Sequence, residues 1–99
     1  MFFHAVYFWL NDGTPESVAE QMLDDCDVLL SNVPTVISLV SGRPAMTPRD
    51  VVDNTYDIGL LVMFDDAEGH DVYATHPLHI QFIEKYKRHW MRVQVYDFQ

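Results

Sequence analysis

The chain has a single cysteine, Cys26, in ninety-nine residues, so no intrachain disulfide can form. That fits a reducing compartment, and a cytoplasmic location is expected. Basic residues are scarce: six Lys and Arg stand against fifteen Asp and Glu, for a net charge of -9. A surface of that sign repels nucleic acid and anionic lipid, and no basic stripe interrupts it. No apolar run is long enough to span a membrane. The first ten residues are apolar but lack a basic start and a small-residue cleavage site, so they read as a strand rather than a secretion signal. There is no internal repeat, no glycine-rich phosphate loop and no dinucleotide fingerprint, so no cofactor is implied.

What the chain does have is apolar residues, at 48% of its length. A domain this small buries only about two-thirds of the surface its unfolded chain exposes. So rich a supply for one short domain, residues 1–99, points to a subunit interface.

Phe2 to Leu10 is aromatic and β-branched and stops at Asn11-Asp12-Gly13, which reads as a strand and a turn. Thr14-Pro15-Glu16 then predicts a helix start, with Thr14 as N-cap and Pro15 in the first turn. Val18, Met22, Cys26, Leu29, Leu30 and Val33 recur at helical spacing up to Pro34. Thr35 to Ser41 is a second strand. Gly42 to Tyr56 holds two prolines and few periodic apolar positions, and reads as a long surface loop. Asp57 to Phe64 is a third strand. A short helix is expected from about Ala67 to Ala74, and a break at Thr75-His76-Pro77 opens another helix toward Trp90. Val93 to Phe98 closes the chain as a fourth strand.

The order β-α-β-β-α-β is that of the ferredoxin-like α+β fold, a four-stranded antiparallel sheet with helices on one face. A sheet bare on its other face should alternate apolar with polar. The first and third strands do not. Phe3, Tyr7, Trp9, Leu61 and Met63 would stand on the uncovered face. A second copy of the chain is the simplest cover, which makes a dimeric α+β barrel.

The segment Tyr73-Ala74-Thr75-His76-Pro77-Leu78-His79 concentrates two imidazoles and a phenol at a helix start. Such groups bond and move protons near neutral pH. Together with Phe3-His4-Ala5-Val6, Asn32-Val33-Pro34, Phe64 and Val95-Tyr96-Asp97-Phe98, it resembles the stress-responsive dimeric A/B barrel family over essentially the whole chain. The resemblance implies a homodimer with small clefts between sheet and helices. Plant polyketide cyclases in this group use a Tyr and a His that map onto Tyr73 and His79. They also carry a histidine where this chain has His4.

On the second long helix, His79 shares a stripe with Ile83, Tyr86 and Trp90, so it faces the sheet. His4 lies on the strand face of Val6 and Phe8. His4 and His79 are therefore expected to meet across one cleft, with Tyr73 closing its end. His76 is expected to cap the helix or to support the pair from behind. His70 and His89 read as surface residues, and Cys26 as inert packing. His4, His76 and His79 offer three nitrogens, but Pro77 splits the pair across a helix start, and no metal site is assigned.

Two functions fit. One is an enzyme without a cofactor, with His79 as base, Tyr73 as donor and His4 as orienting partner, acting as a cyclase or isomerase on a small hydrophobic or aromatic substrate. The other is a non-catalytic dimeric stress or ligand-binding protein.

Overall fold

Strand β1 (Phe2–Leu10) runs through the middle of the sheet because both its faces are apolar. The computed structural model describes residues 1–99. After β1 come α1 (Glu16–Val28), β2 (Ser38–Gly42), β3 (Ile58–Phe64), α2 (Ala67–Thr75), α3 (Pro77–Tyr86) and β4 (Trp90–Phe98). The spatial order is β2-β3-β1-β4, with every neighbour antiparallel. This is the ferredoxin-like α+β arrangement expected from the element order.

The inner face of the sheet makes the core. Val6 and Phe8 of β1 and Ile58, Leu60, Val62 and Phe64 of β3 pack against Ala19, Met22 and Cys26 of α1 and Phe82 and Tyr86 of α3. In β3 the buried residues alternate strictly with half-buried ones, as a strand covered by helices on one side requires. Helices α1 and α3 are tied by Asp25, which accepts hydrogen bonds from Lys85 Nζ at 2.7 Å and from the Tyr86 hydroxyl. Burial works against the Asp25 carboxylate, yet those two donors hold its pKa below the usual range.

Several boundaries differ from the sequence pattern. Thr14 does not cap α1. Its hydroxyl donates to the Asn11 carbonyl at 2.7 Å and closes the turn, so the cap position falls to Pro15. Gly13, at φ 80°, supplies the left-handed residue that this turn needs. The first helix stops at Val28 and tightens into one 3₁₀ turn over Leu30–Asn32. Ser31 and Asn32 take up the free carbonyls of Asp27 and Val28, which ends the helix before Pro34. Strand β2 starts at Ser38, because Thr35 is held by α2 through a 2.7 Å bond from its hydroxyl to the Gly69 carbonyl. Helix α3 ends at Tyr86, and after a 3₁₀ turn Trp90 opens β4 instead of closing the helix.

The outer face is covered only in part. Residues 43 to 57 carry no helix or strand and fold back over one end of it. The Tyr56 ring lies 4.9 Å from that of Tyr7, and Thr55 Oγ1 accepts from the Trp9 indole at 3.0 Å. Trp9 is therefore only 9% exposed, not bare as the strand pattern alone implies. Val40, Tyr96 and Phe98, on the same face, remain exposed. No helix is long and apolar enough to cross a membrane.

Strand β4 pairs with β1 along nearly its whole length. Deleting residues 92–99 unpairs one edge of the central strand, and the expected product is insoluble or unfolded. Solubility and a thermal melt check this. A truncated chain that melts cooperatively contradicts the sheet order.

Candidate functional site

The break at His76 builds the site. Proline disfavours the α conformation in the residue before it, so His76 is extended, at φ -66° and ψ 139°, and α2 stops. His76 then caps α3, its Nδ1 accepting from the Leu78 amide at 3.1 Å. Its imidazole is occupied as a helix cap, outside the cavity described next. Tyr73 in the last turn of α2 and His79 in the first turn of α3 fall side by side, with ring centroids 4.4 Å apart.

Between the sheet and helices α2 and α3 lies a cavity of about 200 Å³. Its walls are mostly apolar, among them Val6, Phe8, Leu60 and Phe82. Four polar side chains converge on it: His4, His70, Tyr73 and His79. Val93 and Val95 of β4 also line it and are 40% and 41% exposed, so the cavity opens along that edge. Trp90 stands in the wall, and its buried indole N–H has no partner.

His4, His79 and Tyr73 are brought together as their pattern implies. His4 is buried on β1, its ring 5.9 Å from that of Tyr73. Its Nδ1 lies 2.5 Å from Asp97 Oδ1, directly across the β1–β4 register. A carboxylate only accepts, so Nδ1 carries the proton and Nε2 keeps its lone pair. His79 is half-buried, and its Nδ1 sits 3.0 Å from the Ala74 carbonyl. A carbonyl also only accepts, so Nε2 of His79 is again the free base. Tyr73 is 1% exposed, and no side chain or backbone group bonds its hydroxyl. Burial pushes its pKa up, so the phenol stays a donor.

His70 is half-buried rather than a free surface residue, contrary to its polar neighbourhood in sequence. Its ring stacks on Phe2 at 4.9 Å and approaches that of His4 to 4.6 Å. The signal was its spacing: His70 and Tyr73 are i and i+3 on one helix, so they share a side. Asp97 was also missed as a partner, since only the strand register sets it opposite His4. Cys26 is wholly buried, and burial pushes its thiol up to about 12, so it is inert as a nucleophile.

The model of the stress-responsive A/B barrel domain matches residues 2–99. The chain belongs to that family. Its fold is shared with solved structures. A dimeric ferredoxin-like protein of unknown function from Thermobifida fusca has a TM-score of 0.83 at 18% identity, over 98% of this chain and 88% of that one. A family protein from Mesorhizobium loti has a TM-score of 0.80 at 21% identity, over 99% and 94%. The hydroxynitrile lyase of Passiflora edulis has a TM-score of 0.82 at 14% identity, over 98% and 90%. No curated protein matches the sequence.

Burial is the main influence on both free imidazoles and lowers their pKa below the ordinary 6.5. The Asp97 contact opposes it at His4, and the Ala74 carbonyl opposes it at His79; at His79 the neighbouring His4 and His70 add to the lowering. The unfolded chain therefore takes up protons first as the pH falls. Stability from these groups is full above 6.5 and is lost as the pH drops through 6.5 to the folded values. Melts from about pH 7.5 to about pH 5.5 should show a falling Tm, and a shallower fall in His79→Gln. Equal slopes for the two proteins contradict this assignment.

Proposed function

We propose that the protein is a homodimer whose cavity between sheet and helices binds a small hydrophobic or aromatic molecule and performs acid–base chemistry on it. The observation that carries this reading is the convergence of His4, Tyr73 and His79 on one otherwise apolar cavity. Apolar walls with a few convergent polar groups are the usual form of a small-molecule site.

The chemistry is proton abstraction next to a carbonyl. The free Nε2 of His79 is the base. Its lowered pKa keeps it neutral at pH 7, ready to accept. The unpartnered Tyr73 hydroxyl donates to the substrate oxygen and stabilises the charge that develops there as an enolate. His4, with Nδ1 held by Asp97, orients the bound molecule. An isomerisation or an aldol-type ring closure uses these same three roles. Size bears on the substrate. A cavity of about 150 Å³ holds benzene. One of about 200 Å³ takes a single substituted ring, and a longer chain must leave by the mouth along β4. A cytoplasmic location fits the single, buried thiol.

A homodimer follows from the apolar outer face. Phe3, Tyr7, Leu61 and Met63 remain half-buried there, and Val40, Tyr96 and Phe98 are exposed. A patch of that kind is unusual on a lone soluble domain. Solved relatives of the same fold are described as dimeric.

Sedimentation equilibrium at low micromolar concentration should give the mass of two chains; the mass of one chain overturns the dimer. The site is tested by melts of wild type, Tyr73→Phe and His79→Gln with a panel of single-ring aryl ketones that carry a C–H next to the carbonyl. Each variant should shift stability by about 1 kcal/mol or less. Each should also lose the protection or turnover that the wild type shows. A loss of about 2 kcal/mol or more in His79→Gln, with ligand protection unchanged, makes the histidine structural only. Protection without turnover of any panel member favours a ligand-binding protein over an enzyme.

A further inference from the structure

The acid–base reading leaves His70 without a task, and it leaves Asp97 only as a support. Yet these two residues and His4 come together from three elements: β1, α2 and β4. One ligand atom from each lies within 4.8 Å of the others. His4 is buried, His70 half-buried and Asp97 at the rim. We propose that His4, His70 and Asp97 form a binding site for a first-row divalent cation, zinc foremost, at the end of the cavity.

Three features support it. The donor set is two imidazoles and one carboxylate, which suits zinc and its neighbours and not magnesium or calcium. Three protein ligands with a fourth position open is the pattern of a reactive metal site rather than a purely structural one. Both imidazoles line the cavity, so the fourth position faces it. The cluster is also held in place. Phe2 stacks on His70 at an interplanar angle of 25°. The β1–β4 register sets Asp97 directly opposite His4. No Lys or Arg side chain pairs with Asp97; its one partner is the His4 imidazole, which burial keeps neutral, so the carboxylate charge is left for a cation. Zinc–nitrogen and zinc–oxygen bonds of about 2.0 Å set tetrahedral ligands about 3.3 Å apart. His4 Nδ1 and Asp97 Oδ1, now 2.5 Å apart, must separate to that spacing to admit the cation, and the three ligand atoms already lie within 4.8 Å of one another.

A cation there would polarise the oxygen of a molecule in the cavity. The site shares His4 and its partner Asp97 with the acid–base proposal and does not depend on His79 or Tyr73.

The test uses full-length protein freed of metal by dialysis against a chelator. Zinc is titrated by calorimetry in excess magnesium, which masks weak binding to the acidic surface. One zinc per chain is expected. His70→Gln and Asp97→Asn should each weaken binding by more than about tenfold, the loss that even a supporting partner causes. His89→Gln, outside the cluster, should bind as the wild type does. Circular dichroism checks that each variant is folded. Should Asp97→Asn fail to fold, His70→Gln carries the comparison. A wild type that binds no zinc, a His70→Gln that binds as tightly as wild type, or a His89→Gln that loses binding overturns the site. In any of these cases, aromatic-ligand protection that depends on His79 still stands, so the two proposals fail separately.

Discussion

Strand β1 must be buried on both faces, and the rest of the molecule answers to that requirement. It is the central strand, paired with β3 on one side and β4 on the other. On the inner side, Val6 and Phe8 need helices, and α1 and α3 supply them. On the outer side Trp9 needs cover too. The chain's own loop gives it through Thr55 and Tyr56. Three helices and one loop cannot reach the whole sheet, and the bare remainder is what a second copy would take. His4 sits within this strand, so the polar end of the cavity is anchored in the most constrained part of the fold.

The second constraint is local. Pro77 forces His76 out of helical conformation, and one kink then does three things. It ends α2, it starts α3 with His76 as cap, and it lets His79 reach back to the Ala74 carbonyl. That last bond fixes which nitrogen of His79 is free. A continuous helix would satisfy the Ala74 carbonyl with a backbone amide instead. The arrangement of these side chains thus depends on a break in regular structure.

Much of this was legible in the sequence, for identifiable reasons. Two-sided strands and helical stripes are patterns of spacing, so the element order and the need for outer cover could be read directly. His4 and His79 could be placed together because each has a clear face on a long, periodic element; Tyr73, on a short helix, is tied to them by its place just before the break at His76-Pro77. Trp90 reads as helical in the sequence, because four residues after Tyr86 it continues the stripe, whereas it opens β4. The 3₁₀ turn over Lys87–His89 that decides the matter has no strong signal of its own. Asp97 was hidden for a different reason. It is an acid at the end of an apolar strand, and only pairing with β1 reveals its neighbour. His70 lies between Gly69 and Asp71, and its polar surroundings in sequence mask a stacking site on Phe2.

The proposed function requires the space beneath His79 and Tyr73 to be an open binding cavity and not a packing defect, which a crystal of the protein soaked with a single-ring aryl ketone would reveal. The ring should lie between the inner face of the sheet and Phe82, with the ketone oxygen within about 3 Å of the Tyr73 hydroxyl. A cavity closed by rearranged side chains, with the ligand absent or bound elsewhere, contradicts it.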